Sequence, residues 1–243
     1  VEKVTDSTSR RYAMPVTVGT LAATTEIYAI GMMCDPGEIH ERWARAQSHP
    51  LEPVTVTRAP AQEVIWQGQD LLNGHGLDMI PVPISTSGFD NAPYLTSANW
   101  ITKDLETGIY NIGNYRSQIK APNRAGGFFV SQHMGQHWRK CKAKGKSLEA
   151  CIAIGVVPCI AYSATAKIPY DFDEYRLAGG LAGAPVEVDQ AKTVDLLVPA
   201  TPEIIIEGTI PTDMIEPEGP FGEYPGYMGH RSVSPFLEVT CIT

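Results

Sequence analysis

Short apolar runs separated by glycine and proline dominate the chain from about residue 54 onward. Runs rich in β-branched and aromatic residues, bounded by turn residues, predict strands. One run, 151–155, has no polar alternation, which predicts a strand buried on both faces. The segment 103–108 is typical of a hairpin turn. The predicted strands are 54–57, 63–66, 78–84, 109–112, 127–131, 151–155, 194–198, 203–210 and 236–242.

Helical periodicity is confined to a few segments. Ile39, Trp43 and Ala46 recur on one face, which predicts a helix over 38–46. The apolar run 22–34 before it predicts a strand, followed by a turn at Pro36-Gly37. Two later helices are predicted, the first over 135–144 and ending near Gly145, the second over 173–181 with Asp173 as N-cap and Gly183 as its stop.

Many strands, few helices and frequent turn residues predict an α+β protein whose main domain is barrel-like and is preceded by an α/β piece. Short apolar runs separated by glycine and proline begin near residue 54, which places the predicted domain boundary there. We therefore expect an N-terminal α/β portion over 1–53 and a barrel domain over 54–243.

Composition and charge narrow the classes of function. The 243 residues carry a formal net charge of −8, and the one dense basic cluster is 139–146, so nucleic acid is not an expected partner. The longest uncharged apolar stretch, 151–166, is too short to span a bilayer. The polar, charged N-terminal residues do not resemble a secretory signal, which favours a cytoplasmic location. The five cysteines form no CxxC pair and are expected to be reduced thiols.

Three patches hold more polar side chains than a barrel needs for folding. Strand alternation through 110–118 would place Asn114, Arg116 and Gln118 on one face. Gln132-His133 ends an apolar strand, and the natural partner of His133 is Glu174; with an asparagine oxygen, the two would suit a divalent ion such as Mn²⁺. The third patch is a Gly/Pro loop in which Glu218 and Glu223 can be aimed at one point.

Each patch also has a structural interpretation, which the residues alone leave open. Glu218 and Glu223 would then be solvated turn residues, and His133 a hydrogen-bonded structural histidine. Arg116 would be half of a structural ion pair, and Glu174 a carboxylate in the first turn of a helix. His137 is predicted to lie on the helix surface, outside any site.

Taken together, the motifs resemble those of the UbiD-family decarboxylases, from about residue 54 to the last residue. The order and the spacing both match, and the joint pattern is far more specific than any one motif. The motifs are Asn111-x-Gly113-x-Tyr115-Arg116-x-Gln118, Gln132-His133, Asp173-Glu174-Tyr175-x-x-Ala178-Gly179, Val198-Pro199-Ala200-x-x-Glu203, and Glu218-Gly219-Pro220-Phe221-Gly222-Glu223.

The resemblance implies a split β-barrel domain that binds prenylated FMN, preceded by part of an α/β domain. It implies that Asn111, His133 and Glu174 are ligands of a divalent ion, usually Mn²⁺, that bridges the protein and the cofactor phosphate. A K⁺ site is implied near Thr165. The implied cofactor contacts are Asn111, Ile112, Gly113, Asn114, Tyr115, Arg116, Gln132, His133, Thr165 and Glu174.

The resemblance further implies a catalytic network of Arg116, Glu218 and Glu223. Arg116 would orient the substrate carboxylate, Glu218 would hold Arg116, and Glu223 would protonate the carbon that loses CO₂. The expected reaction is the reversible decarboxylation of an aromatic, phenolic or α,β-unsaturated carboxylic acid, with CO₂ as the second reactant in the carboxylation direction.

The assembly and two other functions are also open at this stage. The resemblance implies a homo-oligomer, or a complex with a chain that supplies a C-terminal α/β domain. A non-catalytic cofactor-binding subunit or fragment of a multi-subunit carboxylase is one alternative. A plain FMN oxidoreductase is the other, since split barrels also bind unmodified FMN; that function would leave Arg116, Glu218 and Glu223 without a role.

Overall fold

A curled antiparallel sheet forms the centre of the molecule in a computed structural model, which describes residues 4–5, 10–129 and 132–243. The α-helices within these ranges are α1 (Thr25–Met32), α2 (Ile39–Ser48), α3 (His133–Ala143), α4 (Pro158–Thr165) and α5 (Glu174–Ala182). Short 3-10 helices occupy Pro36–Glu38, Pro60–Gln62, Gly68–Leu72 and Leu77–Met79.

The strands are mostly short, and in the described ranges they are β1 (Val54–Thr55), β2 (Trp66–Gln67), β3 (Tyr94–Leu95), β4 (Asn99–Lys103), β5 (Tyr110–Asn114), β6 (Ser117–Ala121), β7 (Arg124–Gly127), β8 (Leu148–Ile154), β9 (Glu187–Gln190), β10 (Leu197–Pro199), β11 (Ile204–Ile210), β12 (Glu216–Glu218), β13 (Phe221–Gly222), β14 (Met228–Gly229), β15 (Ser232–Ser234) and β16 (Phe236–Ile242). The hairpin predicted at 103–108 is confirmed by the pairing of β4 with β5.

The central sheet has the strand order β3-β6-β7-β16-β11-β8-β4-β5, with β2 paired to β16 beside it. Its two ends are close along the chain, because β3 runs into β4 and β5 reaches β6 through Tyr115 and Arg116 alone. The Tyr115 N–H also donates to the Ala98 carbonyl at 3.3 Å. These short links require the sheet to curl until its edges meet. The result is a split barrel in an α+β molecule, which confirms the predicted fold class and places Arg116 in a link across the seam.

Strand β8 shows how the barrel separates two apolar layers. Ala150 and Ile152 pack into the barrel core with Trp100, whereas Cys151 and Ala153 pack on the other face, beneath α4 and α5. Both faces are buried, as the absence of alternation predicted. This second layer places the ends of α4 and α5 beside β5.

The N-terminal segment differs from its predicted structure. The run 22–34 contains helix α1, with Thr24 as its N-cap, rather than a strand. A continuous apolar run suits a short buried helix as well as a strand, and the capping hydroxyl of Thr24, which accepts from the Ile27 N–H at 3.3 Å, favours the helix. Helix α2 confirms the predicted helix over 38–46. The boundary at residue 54 stays a prediction.

Several predicted strands are wrong in whole or in part, among them 194–198, of which only Leu197 and Val198 belong to a strand. Residues 78–84 form the end of a 3-10 helix and then irregular chain, because Pro81 and Pro83 lack the N–H groups that a strand needs. In 63–66 only Trp66 belongs to a strand. The strand predicted over 127–131 corresponds to β7 at its start, and Val130 and Ser131 lie outside the described residues.

Two further features concern the whole chain. All five cysteines are free thiols. Within the described ranges, no helix combines the length and the hydropathy required to cross a membrane.

Candidate active site

A cavity of about 500 Å³ opens where β5, the start of α3, the end of α4 and the start of α5 converge. Its volume is typical of a small-molecule site. It collects every residue predicted to bind a cofactor or metal except Arg116, which follows directly in the chain. The lining residues are Asn111, Ile112, Gly113, Asn114, Tyr115, Gln132, His133, Ala164, Thr165, Ala166, Lys167, Ile168 and Glu174.

Glu174 places a carboxylate deep in this cavity. It is the first residue of α5 and is 3% exposed. One carboxylate oxygen accepts from the Asn111 amide at 2.9 Å and the other from the Ile112 N–H at 3.0 Å. Burial raises the pKa of Glu174 to about 8, against the opposing effect of these hydrogen bonds. Its hydrogen-bond partners in the described part of the chain carry no positive charge, so a bound cation would stabilise the ionised form.

His133 brings an imidazole to the same cavity at the first residue of α3. Burial lowers the pKa of His133, which favours the neutral form that can bind a metal. The ring lies edge-on to the Tyr170 ring, with centroids 5.2 Å apart. Gln132, the N-cap residue of α3, makes no side-chain capping bond, and the N–H groups at a helix N-terminus favour an anion.

The donor set fits a hard or borderline divalent ion, because an amide oxygen, a neutral imidazole and a carboxylate line one cavity. Within the described ranges, no three His, Cys, Asp or Glu side chains form a group that could hold a metal, so an asparagine would have to complete the set. Lys167 at the rim adds positive charge that favours an anionic ligand.

Arg116 joins two glutamates at the seam of the barrel. Its Nε donates to Glu218 at 2.9 Å and its Nη2 to the other oxygen of Glu218 at 2.5 Å, while Nη1 donates to Glu223. The guanidinium also lies over the rings of Phe128, at 4.4 Å, and Phe221, at 5.4 Å. Burial would lower the pKa of Arg116, but the two carboxylates outweigh it and raise that pKa. The predicted Glu-Arg-Glu cluster is therefore assembled.

The two glutamates differ in their access to water. The Glu218 side chain is 1% exposed and the Glu223 side chain 39% exposed. Glu218 is thus fixed by a bidentate ion pair in the interior. The Glu223 side chain reaches solvent.

Tyr94 on β3 and two residues of the segment before that strand hold the backbone between the two glutamates. The Gly219 N–H donates to the Tyr94 hydroxyl at 3.0 Å, and the Gly219 carbonyl accepts from Asn91 at 2.8 Å. Asp90 accepts from the Gly222 N–H at 2.8 Å. Gly219 has φ +82°, and a Cβ there would lie 2.8 Å from the His230 carbonyl, so glycine is needed at this turn.

Sequence reasoning was wrong about two features of the site. The chain through 110–118 is not one continuous strand, since β5 ends at Asn114 and β6 begins at Ser117. The alternation argument for Arg116 therefore does not apply, and the barrel seam positions it instead. His137 is not on the helix surface: it is 2% exposed, and its Nδ1 lies 2.9 Å from the Thr102 hydroxyl.

Several residues near the site were missed. Lys167, Tyr94 and Tyr170 stand in segments with no recognisable motif. Asp104 was taken as part of a hairpin turn, where an aspartate commonly accepts backbone N–H bonds. Its side chain does so, from Glu106 and Thr107, but it is also buried and contacts α3. No local signal in the sequence indicates that burial.

Comparison with known proteins identifies related sequences and folds. Residues 53–243 match the model of the 3-octaprenyl-4-hydroxybenzoate carboxy-lyase Rift-related domain, UbiD. An uncharacterized protein of Synechocystis sp. is 40% identical over 76% of this chain and 36% of its own length. The phenolic acid decarboxylase of Bacillus subtilis is 38% identical over 67% of this chain and 35% of its own length.

The most informative structural match is the UbiD-class enzyme HmfF of Pelotomaculum thermopropionicum in complex with FMN. It superimposes with a TM-score of 0.89 at 35% identity, over 96% of this chain and 51% of that enzyme. An evolved dimeric form of the same enzyme, in complex with prFMN, gives the same TM-score and identity. The chain thus spans about half of HmfF and a smaller share of the curated relatives.

Proposed function

Because this chain belongs to the UbiD family of decarboxylases, we propose that it forms the cofactor-binding and catalytic part of a prenylated-FMN-dependent decarboxylase. The observation that supports this most is the Glu218–Arg116–Glu223 cluster at the barrel seam, one residue beyond the cavity-lining segment 111–115. The expected substrate is an aromatic, phenolic or α,β-unsaturated carboxylic acid, and the same residues would serve the reverse carboxylation.

The cavity is the proposed cofactor site. Asn111, His133 and Glu174 would hold a divalent ion, Mn²⁺ in our proposal, whose charge would favour the binding of an anionic cofactor. The uncapped N-terminus of α3 and the side chain of Lys167 support a phosphate there. Thr165 would contribute to a K⁺ site. The remaining proposed cofactor contacts are Ile112, Gly113, Asn114, Tyr115, Arg116 and Gln132.

Arg116 is proposed to orient the substrate carboxylate. A guanidinium has five N–H donors, and three are used by the two glutamates. The other two can donate to a carboxylate. The bidentate bond to Glu218 and the Phe128 and Phe221 rings restrict the guanidinium to one orientation, so little further ordering is needed when substrate binds.

Prenylated FMN, when bound, supplies the electron sink that a carbon losing CO₂ requires. The protein must then deliver a proton: the C–C bond to the carboxylate breaks, CO₂ leaves, and the vacated carbon takes a proton. We assign this donation to Glu223, because its partial exposure allows it to regain a proton from water after each turnover. Glu218, which is sealed from solvent, would hold Arg116 in place.

The test is the exchange of Glu223 for glutamine in the protein reconstituted with prenylated FMN, Mn²⁺ and K⁺. CO₂ release from a phenolic acid should fall at least about 100-fold, in line with the loss of a general acid. Glu216→Gln is the matched control, since Glu216 lies in the same hairpin but pairs with Lys120 and Arg124. Unchanged CO₂ release in Glu223→Gln would remove the assignment of the proton donor.

The same experiment separates the other two functions. A protein that binds FMN and oxidises or reduces a substrate, but releases no CO₂ with prenylated FMN, would be a flavin oxidoreductase. A protein that binds flavin without turnover, and gains activity when a second chain is added, would be a cofactor-binding subunit. We propose a homo-oligomer or such a complex as the complete assembly.

A further inference from the structure

Asp104, in the turn between β4 and β5, makes more contacts than a turn requires. Its side chain is 1% exposed. The Oδ1 atom accepts from the Glu106 N–H at 2.8 Å and the Thr107 N–H at 3.3 Å. The Oδ2 atom accepts from the Lys140 ammonium at 2.6 Å and from the Tyr170 hydroxyl. One oxygen therefore stabilises the turn, while the other faces two distant segments.

The partners of Oδ2 lie on the segments that carry the proposed metal ligands. Lys140 is on α3, which begins at His133. Tyr170 precedes α5, which begins at Glu174. Asp104 itself precedes β5, which contains Asn111. A single buried carboxylate thus connects the three segments.

Tyr170 extends this connection to the cavity. Its ring meets the His133 ring edge-on, at 5.2 Å and 83°, and the His137 ring at 5.7 Å and 76°. Edge-on contacts of this kind favour one relative orientation of two rings. The bond from the Tyr170 hydroxyl to Asp104 fixes the tyrosine, which in turn restricts the rotation of His133.

We propose that Asp104 is a positioning residue that fixes the orientation of the His133 imidazole through Tyr170, and so preorganises the divalent-ion site. The inference rests on the proposed function for the identity of His133 as a ligand, but the ring contact itself does not. Groups that hydrogen-bond a metal-binding histidine typically change metal affinity by about 10- to 100-fold when removed, and for an orientation imposed through the Tyr170 ring we expect the lower end of that range.

Asp104→Asn separates the two roles of the side chain. The amide oxygen can still accept from Glu106 and Thr107. The amide nitrogen must lose the bond with the Lys140 ammonium, which cannot accept, and can keep Tyr170 only by donating to its hydroxyl oxygen in a reversed, uncharged bond. Tyr170→Phe keeps the ring and removes the hydroxyl, and Tyr170→Leu removes the ring. Asp195→Asn is the matched control, because it removes a carboxylate that pairs with Lys103 on the exposed surface.

Two measurements on these variants test the proposal. The first follows the imidazole resonances in the metal-free, ¹³C-histidine-labelled protein, with His133 assigned from its loss in His133→Asn. The His133 signals should change in Asp104→Asn and Tyr170→Leu and stay the same in Asp195→Asn. The second measures Mn²⁺ binding by electron paramagnetic resonance. The dissociation constant should rise at least about tenfold in Asp104→Asn and Tyr170→Phe.

Unchanged His133 signals in both Asp104→Asn and Tyr170→Leu would overturn the proposal. Changed His133 signals combined with an unchanged Mn²⁺ dissociation constant in Asp104→Asn would overturn it as well. Should Asp104→Asn fail to fold, the Mn²⁺ dissociation constant of Tyr170→Phe tests the same bond between Tyr170 and Asp104. A wild-type protein that binds no Mn²⁺ would instead refute the proposed ligand set. The His133 signals would then still decide whether Asp104 positions the ring.

Discussion

His137 is a buried histidine in a densely charged environment. Its Nε2 lies 3.8 Å from Asp104, and Lys140, His133 and Tyr170 are the other ionisable groups around it. Burial lowers the pKa of His137 to about 4, and the repulsion from Lys140 and His133 acts in the same direction, while Asp104 opposes it. His137 therefore stays neutral in the folded protein at pH values where the unfolded chain binds a proton.

This difference makes folding stability depend on pH. Between pH 6.5 and about 4 the unfolded state binds a proton at His137 that the native state does not, so the free energy of unfolding falls as pH falls. The contribution is about 3 kcal/mol across that window. Urea unfolding at intervals from pH 7 to pH 4 should show a shallower slope in His137→Asn than in the wild type.

The exposed His40→Asn variant is the control for that measurement and should keep the wild-type slope. An equal slope in wild type and His137→Asn would contradict the burial argument. The opposite slope would be expected only if Asp104 held His137 in its charged form.

The two histidines also show how far single residues can be interpreted from sequence. His133 and His137 are one helical turn apart, so periodicity assigns them to the same face. His133 was predicted to be a metal ligand, first from its pairing with Glu174 and then from the family resemblance, whereas His137 was wrongly placed on the surface. Only the position of Thr102 on β4, opposite the helix, shows that His137 is inside.

Helix α5 shows that local signals can define an element completely. Asp173 accepts from the Tyr175 N–H at 2.8 Å, and Gly183 ends the helix in the left-handed region at φ +73°. Both residues were predicted in these roles. Glu174 is the first residue after the N-cap and lines the cavity, so the cap at Asp173 fixes the position of the Glu174 carboxylate.

Gly183→Ala should therefore destabilise the protein by about 1 kcal/mol, since a Cβ disfavours the left-handed conformation. Among the described residues, only the glycine's own neighbours in the chain can lie within 4 Å of that Cβ position, so the effect is conformational rather than steric. Gly37→Ala is the control: its Cβ also meets open space, and its φ is not left-handed. Chemical denaturation should show a lower free energy of unfolding for Gly183→Ala and no loss for Gly37→Ala, because alanine fits the backbone there and restricts the unfolded chain. Equal stabilities of the two variants would contradict the proposed role of the cap.

Other elements were less predictable because their sequence patterns are compatible with both a helix and a strand, or with a strand and an irregular segment. The run 22–34 is mostly apolar, and a short run of this kind fits a helix or a strand equally. In 78–84, Pro81 and Pro83 prevent a strand that the β-branched residues would otherwise favour, because proline has no N–H group for the sheet. By contrast, β8 was predicted from its lack of polar alternation between turn residues, and β11 from its run of three consecutive isoleucines.

At the scale of the whole molecule, the candidate site depends on contacts between segments that are distant in sequence. Arg116 meets Glu218 across 102 residues, and Tyr94 meets Gly219 across 125. No local pattern predicts such contacts. The family resemblance identified Arg116, Glu218 and Glu223, whereas Tyr94, which belongs to none of its motifs, was found only in the structure.

Tyr94 connects the edge strand β3 to the loop that carries the two glutamates. Its buried hydroxyl accepts from the Gly219 N–H, and burial, followed by the charge of Glu218, raises the pKa of Tyr94. In Tyr94→Phe the Gly219 N–H loses its acceptor, which costs about 1–3 kcal/mol for a buried donor. We expect a lower midpoint of denaturation and, because the loop between Glu218 and Glu223 is loosened, slower CO₂ release at unchanged Mn²⁺ affinity.

The control for this prediction is Tyr224→Phe, which removes the hydroxyl of a fully exposed tyrosine in the same loop. It should leave both stability and Mn²⁺ binding at wild-type values. Loss of Mn²⁺ affinity in Tyr94→Phe would contradict the separation between the glutamate loop and the cavity. The bond between Tyr94 and Gly219 would then stabilise the whole barrel, and strand β3 would affect both the glutamate loop and the cavity.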